Sequence, residues 1–423
     1  MAQTERRPLR RHRDFMLLWT GQTVSEVGSS VTTLALPLVA VLVLHATTFE
    51  VGALAACTNL PFLLVALPAG AWVDRWRKRS VLLWGDAGRV LVLGSVPVAQ
   101  AFHHLGLAQL YLVALSAGVL TVFFDVAYQS YLPALVARDE LVEANAKIGA
   151  SQSFGQVVGP SLGGVLVGAL GAAYTVAVDA VSFAVSAVAT FGIRDRETQL
   201  PPTDVPRNLR REIREGLSFV LRHPILKKVV GCTATANFFS GAAFAIEAVF
   251  LVRILHASPG VIGLVLSLGS IGGLLGAIFA RRIARRVGTA RIIWLSLAVT
   301  APFGFLIPFA FRGYGVLLVA GALFAISAGS VVYNTAQVSF RQAVCPPALL
   351  GRMNASVRFI VWGTMPLGAI AGGALGTLLG LRVTEFLCAL GDWAAVLWVI
   401  NSPLFGMRDI PESEAEAIAL GIP

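Results

Sequence analysis

Two carboxylate residues lie deep within long apolar segments, where an ionisable side chain is costly and usually functional. Glu26 stands about 11 residues into the first segment, roughly 16 Å deep at 1.5 Å per residue. Asp125 lies about two helical turns from the inner end of the fourth segment. Carboxyl groups at such depths can take up and release protons, so both are candidates for proton coupling. A structural role is the alternative, with Glu26 hydrogen-bonded to Ser25 or Ser29 of its own helix or to a neighbouring helix. Asp125 would then be paired with Arg89 or Arg75.

Three further ionisable residues in the apolar segments favour local pairing. Asp86 and Arg89 are three positions apart, which predicts an ion pair within one helix. Glu247 lies near the outer end of the seventh segment, where Arg253 is a possible partner.

The histidines all lie near loops, and the cysteines lack metal-ligand spacing, so no metal site or cofactor is expected.

A glycine and a charged run follow the second apolar segment, reading Gly70-Ala-Trp-Val-Asp74-Arg75 before further basic residues. Gly70 would permit a close helix approach. Asp74 can accept hydrogen bonds at the N-terminus of a neighbouring helix, where the helix dipole favours an anion. With Asp86 and Arg89, these residues form a candidate cytoplasmic gate. A plain basic loop that fixes topology is the alternative.

Four glycines and a proline lie within ten residues of the fifth apolar segment: Gly155, Gly159, Pro160, Gly163 and Gly164. Such small residues give a smooth face for another helix, and the proline removes one backbone donor and bends its own helix. The pattern therefore indicates a closely packed, bent membrane helix.

The elements that position these residues are predicted to be twelve transmembrane helices in two six-helix halves. Charged residues are only 13% of the 423 residues and mean hydropathy is +0.75, too apolar for a soluble chain of this length. A bilayer also requires backbone groups to be satisfied within each segment, which favours helices over other structures. The predicted spans are 15–44, 49–73, 80–102, 108–131, 148–170, 172–193, 228–252, 258–280, 289–311, 314–336, 355–379 and 381–405.

The charge distribution predicts that both termini are cytoplasmic. With that orientation, 29 of the 33 Lys and Arg residues lie on the inside, three lie outside and Arg89 lies within a span. The net charge of +10 therefore reflects membrane topology, and no nucleic-acid partner is expected.

A long polar segment divides the chain into a first half (1–193), a cytoplasmic linker (194–227), a second half (228–405) and a cytoplasmic tail (406–423). Apolar residues at helical spacing predict an amphipathic helix over 212–226 within the linker, lying at the membrane interface. An offset of 209 residues matches the halves, which predicts a repeat of parallel topology. It places Leu141, Asn145, Ala146, Gly159, Gly163, Gly164, Leu166 and Gly171 on Leu350, Asn354, Ala355, Gly368, Gly372, Gly373, Leu375 and Gly380.

The loop at Gly70, Asp74 and Arg75 resembles the signature loop of the major facilitator superfamily, although Arg77 stands where that family often has a second glycine. The glycine–proline pattern of the fifth segment resembles the antiporter signature of its drug–proton exporters. Other stretches resemble the branch that contains macrolide-efflux proteins and the enterobactin exporter, among them Glu215-Gly216.

The resemblance implies an exporter of small amphipathic compounds, such as a drug, an antibiotic or a siderophore-like product, that works by alternating access in exchange for protons. It implies a multi-pass protein of a bacterial cell membrane, and it places Asp179 and Asp392 away from the substrate cavity. Because one chain contains both halves, the protein is expected to act as a monomer. The implied cavity residues, besides Glu26 and Asp125, are Phe124, Tyr128, Asn237, Phe238, Tyr333, Asn334 and Gln337.

Two other functional classes are weighed against export. One is an importer or facilitator of a small nutrient or metabolite, which the pattern in the fifth segment disfavours. The other is a membrane enzyme or a receptor, and the sequence has no nucleophile–base set, metal-ligand cluster or ATP-binding Walker loop that would favour it.

Overall fold

The computed structural model describes Leu9 and residues 12–73, 75–137, 139–194, 209–346 and 349–409, a part of the chain that is helical and contains no strand. The earlier helices are α1 (Arg13–Leu38), α2 (Thr48–Leu64), α3 (Ala66–Val73), α4 (Lys78–Ala101), α5 (Leu107–Leu135), α6 (Leu141–Leu170) and α7 (Ala172–Phe191). The later helices are α8 (Leu209–Arg222), α9 (Leu226–Arg253), α10 (Pro259–Val287), α11 (Arg291–Thr300), α12 (Val316–Val344), α13 (Leu350–Leu378), α14 (Leu381–Ala394) and α15 (Leu397–Ile400).

Ten of the described helical segments are long and apolar enough to cross a membrane, which confirms an all-α membrane fold. The second and ninth predicted spans are broken instead of continuous. The second consists of α2 and α3, with Pro61 and Pro68 on either side of the break. The ninth consists of α11 followed by a 3-10 turn at Ala301–Leu306, whose second residue is Pro302. Proline lacks the backbone donor that a continuous helix needs, which accounts for both breaks.

Tertiary contacts divide the chain into two compact units. The first unit contains α1, α3 to α7, residues 57–64 of α2 and residues 259–267 of α10. The second unit contains the other parts of α2 and α10 together with α8, α9 and α11 to α15.

In the first unit, α1 packs against α6 and α7, and α4 packs against α5 and α7. Fully or almost fully buried side chains, including Phe15, Leu82 and Phe124, form its apolar core. The four helices α1, α4, α5 and α7 therefore bring their interior faces to a common region.

In the second unit, α9 packs against α13, α14 and α8. The predicted amphipathic helix is present as α8, but it ends at Arg222 because the next residue precedes Pro224 and is disfavoured from helical geometry. Its Val220 is buried with residues of α13, and Glu215 forms an ion pair with Arg352. Thus the face of α8 that contains Val220 and Glu215 packs against α13.

The predicted repeat is visible in the helix bounds. The same offset of 209 residues that relates the sequences places both ends of α5 on both ends of α12, and the start of α6 on the start of α13. Gly171 (φ 86°, ψ 154°) and Gly380 (φ 83°, ψ 157°) share a backbone conformation that L side chains rarely adopt. The two units thus contain equivalent helix–turn–helix connections.

Candidate functional site

An ion pair lies at the centre of the polar cluster in the first unit. The Arg89 Nη2 donates a hydrogen bond to Asp86 Oδ1 at 2.6 Å, one turn earlier on α4. Asp86 is 0% exposed and Arg89 is 5% exposed. The guanidinium lies 3.9 Å from the Phe183 ring centroid and 4.3 Å from that of Phe124. Desolvated contacts of this kind are worth about 2 kcal/mol or more, so the arginine is held by both charge and aromatic packing.

Two more carboxylates face the same guanidinium from neighbouring helices. Asp125 on α5 and Asp179 on α7 both lie within electrostatic range of Arg89. Asp179 is 2% exposed and its Oδ1 accepts a hydrogen bond from Ser182 at 3.1 Å. Gly28 of α1 makes room for this pair, since a Cβ there would lie 2.7 Å from Asp179 Oδ1.

Glu26 extends the cluster from α1. It interacts electrostatically with Asp125 and Arg89, and the Tyr128 side chain also lies close enough to interact with it. The Ser25 hydroxyl, an alternative partner for Glu26, instead donates to the backbone oxygen of Gln22. The structure thus brings both proton-coupling candidates, Glu26 and Asp125, to the same cluster, where both are half-buried.

The glycines of the fifth span pack against α1. Gly155, Gly159 and Gly163 recur every four residues on one face of α6, and Cβ atoms built there would meet Glu26, Ser30 and Val31 in turn. The Gly155 position would bring a Cβ within 3.0 Å of Glu26 Cγ. The antiporter-like pattern thus shapes the backbone directly beside one candidate carboxylate.

The remaining glycine of this pattern meets the start of α10 within the first unit. A Cβ at Gly164 would lie 3.1 Å from Gly260 Cα, and one at Gly263 would contact the Pro160 backbone. Beside them, the Ser161 hydroxyl donates to Ser267 Oγ at 2.7 Å. This face of α6 is therefore closely packed as well.

The candidate gate residues occupy two different environments. Asp74 lies outside the described residues, Arg75 is exposed, and a Cβ at Gly70 would meet no described atom within 4 Å. Asp86 and Arg89 instead belong to the buried cluster. The structure therefore shows no close helix approach at Gly70, and it groups the α4 pair with the carboxylates.

The cavity candidates of the first unit are packed in its interior. Phe124 is 2% exposed, and its ring stacks on that of Tyr128 with centroids 6.0 Å apart. The Tyr128 hydroxyl is buried and has no hydrogen-bond partner among the described residues.

The candidates of the second unit lie on α9 and α12, and the polar ones are hydrogen-bonded within that unit. The Tyr333 hydroxyl lies 2.6 Å from Thr233 Oγ1, and Asn237 Nδ2 donates to the Val361 backbone oxygen at 3.0 Å. Gln337 Nε2 donates to Asn334 Oδ1 at 2.8 Å. Phe238, one residue after Asn237, packs edge-on against Phe239.

Sequence reasoning missed the surroundings of two buried carboxylates. The resemblance places Asp179 away from the substrate cavity, and in the structure it interacts electrostatically with Arg89. Glu385 on α14 is 3% exposed and interacts electrostatically with Glu247 on α9. Glu247 Oε1 is buried without a hydrogen-bond partner among the described residues. Among the same residues, Glu247 forms no ion pair with Arg253. The sequence offered one indication for both Asp179 and Glu385, because each is an acidic residue inside an apolar span.

Comparisons with known proteins agree with this architecture. A family model described as "Transmembrane secretion effector" matches residues 4–419. The chain is 29% identical over 400 residues to the multidrug efflux pump Tap of Mycolicibacterium fortuitum, covering 91% of this chain and 93% of that protein. It is 24% identical to the enterobactin exporter EntS of Citrobacter koseri, over 88% of this chain and 85% of that protein.

Solved structures show the same fold at low sequence identity. An inward-facing bacterial homologue of the iron transporter ferroportin gives a TM-score of 0.76 at 17% identity, with 93% of this chain and 99% of that chain covered. The nucleoside transporter NupG gives 0.73 at 11% identity, with 93% and 100% covered. Because the family model spans almost the whole chain, the protein belongs to the transmembrane secretion effector family of membrane transporters, within the major facilitator superfamily.

Proposed function

We propose that the chain exports small amphipathic compounds across the bacterial cell membrane in exchange for protons, by alternating access. The observation that carries this proposal is the cluster of Glu26, Asp86, Asp125 and Asp179 around a single guanidinium, that of Arg89. The cluster has four carboxyl groups and one cation. If all four were ionised, the excess negative charge would be costly in a poorly solvated site. Proton binding by the carboxyls relieves that excess, which gives the cluster a reason to exchange protons.

Glu26 and Asp125 are the proposed proton carriers. Asp86 is hydrogen-bonded to Arg89, and Asp179 is hydrogen-bonded to Ser182, so both have fixed partners. Glu26 and Asp125 repel one another, and Glu26 has only the neutral Gln22 side chain as a hydrogen-bond partner. No ion pair to either carboxylate is present among the described residues. A proton can therefore be gained or lost at these two with the least disruption of the packing.

Export is favoured over uptake by two independent observations. The relatives are named as a multidrug efflux pump and an enterobactin exporter. The glycine–proline pattern that resembles the antiporter signature also lies against Glu26 through Gly155. We therefore propose a drug-like or siderophore-like compound as the substrate.

Transport in everted membrane vesicles tests this proposal. With an acidic lumen, the parent protein should accumulate an amphipathic dye such as rhodamine 6G, and the added dye should cause protons to leave the lumen, as read by a pH-sensitive probe. Glu26→Gln and Asp125→Asn should abolish the proton response. The matched control is Glu143→Gln, which removes a half-exposed carboxylate of α6 (56% exposed) in the same unit.

Two results would contradict the proposal. Dye uptake that is the same with and without the proton gradient would exclude antiport. Accumulation of the dye by intact cells that make the protein would favour an importer instead.

The proposed topology places both termini in the cytoplasm and the protein in the membrane as a monomer. A fluorescent protein that matures only in the cytoplasm, fused after Pro423, should fluoresce. Light scattering on the purified protein should give the mass of one chain.

A further inference from the structure

Two arginines of the second unit, the half-buried Arg341 and the exposed Arg358, interact electrostatically near the connection between α12 and α13. Arg341 is three residues before the end of α12, and Arg358 is eight residues into α13. At 1.5 Å per residue these positions are about 5 Å and 12 Å from the helix ends. The two side chains are close enough for their charges to repel one another. Within the described part of the chain, neither forms an ion pair or a side-chain hydrogen bond.

Burial makes this arrangement costly for Arg341. Its Nε is buried and has no hydrogen-bond partner among the described residues. Charged side chains in membrane helices normally pair with another charge or with backbone oxygens, because an unpaired charge there is expensive. An anion placed between the two guanidinium groups would reduce their repulsion. It would also accept a hydrogen bond from Arg341 Nε.

A second unmet polar group lies one turn away. Gln337 and Arg341 are four residues apart and so lie on the same face of α12. Gln337 is 3% exposed, and its Oε1 is buried without a partner while its Nε2 donates to Asn334. This oxygen can accept a hydrogen bond from a hydroxyl or amine next to the anionic group.

The internal repeat shows that this basic pair is particular to the second unit. At the offset of 209 residues, Arg341 and Arg358 correspond to Leu132 and Gly149, neither of which carries a charge. Asn334, by contrast, corresponds to Asp125. The first unit therefore has a carboxylate where the second has an amide, and it lacks both cations of the second unit.

We propose that Arg341 and Arg358 bind the anionic group of a ligand, a carboxylate, sulfonate or phosphate, and that Gln337 accepts a hydrogen bond from a neighbouring hydroxyl. The anionic group belongs either to the transported compound or to the headgroup of an acidic lipid. The first source rests on the proposed transport function, whereas the anion site itself does not.

Ligand binding by the purified full chain tests the site without transport. The probe is fluorescent 3-hydroxy-2-naphthoate, and the neutral amide of the same compound is its control. We expect Arg341→Gln and Arg358→Gln each to weaken naphthoate binding at least tenfold and to leave amide binding unchanged. Arg341→Lys, which keeps the charge, should weaken naphthoate binding less than Arg341→Gln does. The control variant is Arg285→Gln, which removes an exposed charge from the last turn of α10.

Nanodiscs distinguish the two sources of the anion. If an acidic lipid occupies the site, phosphatidylglycerol should raise the melting temperature of the parent protein relative to phosphatidylcholine, and the double variant should lose that gain. If the compound occupies it, naphthoate binding should be equal in both lipids.

The proposal is overturned if neither naphthoate binding nor stabilisation by phosphatidylglycerol depends on the two arginines. Naphthoate binding by the purified chain is measured without a proton gradient and without transport. Failure of proton-coupled export would therefore leave this result unchanged, and the two proposals can fail separately.

Discussion

Gly155 of α6 lies directly against the side chain of Glu26 on α1, so that a Cβ added to the glycine would be 3.0 Å from Glu26 Cγ and 3.2 Å from its backbone oxygen. Such distances are shorter than ordinary contacts between carbon atoms, which lie near 3.5–4.0 Å. A substitution at Gly155 must therefore move the carboxylate side chain or the helix that carries it.

Gly155→Ala should impair transport more than folding. The added methyl displaces Glu26 by a few tenths of an ångström, and a small misplacement of a reacting group can reduce rate considerably. We expect proton-coupled dye uptake in vesicles to fall at least tenfold, with the melting temperature changed by only a few degrees. Gly168→Ala on the same helix is the control, because its Cβ would meet no described atom within 4 Å. Equal transport by both variants would remove the link between this glycine and coupling.

Arg89→Gln should destabilise the first unit. The substitution leaves Asp86, Asp125 and Asp179 without their shared cation and removes the contacts with two aromatic rings. Breaking a buried ion pair by removing one partner costs about 3–5 kcal/mol. We expect a clear fall in the melting temperature of the purified protein.

The double variant Arg89→Gln with Asp86→Asn serves as its control. Because the two side chains are hydrogen-bonded, the loss in the double variant should be smaller than the sum of the single losses. Additive losses would show that the ion pair contributes little.

The fold was largely predictable from the sequence because membrane helices are encoded locally. Apolar length, the 209-residue offset and the glycine pattern predicted the helical fold and the repeat, and the equivalent conformations of Gly171 and Gly380 agree with it. The breaks in the second and ninth spans were not predicted, because hydropathy averages over prolines that interrupt the hydrogen-bond ladder.

The membership of the polar cluster was less predictable, because it depends on which helices become neighbours. Asp86 and Arg89 share one helix, so their pairing follows from spacing. Asp179 meets α1 at Gly28, 151 residues away, and no local pattern identifies that contact. The unpaired state of Arg341 also depends on tertiary packing, since its sequence context resembles any basic helix end.

Glu385→Gln should leave stability unchanged or raise it. Glu385 and Glu247 are buried on adjacent helices and interact as like charges, so a neutral side chain at either position removes repulsion. We expect Glu247→Gln to change stability in the same direction. The double variant should gain less stability than the sum of the gains of the two single variants. Thermal unfolding at pH 8, where repulsion between carboxylates is strongest, measures the effect. A large loss of stability at this pH would show that the acidic pair holds an unseen partner.

His223 should make folding stability depend on pH. Its Nδ1 accepts hydrogen bonds from the backbone N–H groups of Ile225 and Leu226, both at 3.2 Å, at the start of α9. Only the neutral imidazole can accept them, and burial lowers the pKa of His223 below its ordinary value. The stabilisation is therefore complete above the unfolded-state pKa of about 6.5 and is lost as pH falls through the lower folded-state pKa.

His223→Asn separates this effect from other titrations. Asparagine keeps an oxygen that can accept the same bonds but does not titrate, so the variant should lose less stability than the parent protein between pH 7 and pH 5. His223→Ala removes the acceptor and should cost about 1 kcal/mol at pH 7, the typical value of a helix N-cap. Melting temperatures of the three proteins across this range provide the measurement. A parent protein and an asparagine variant with the same pH dependence would show that protonation of His223 does not control the start of α9.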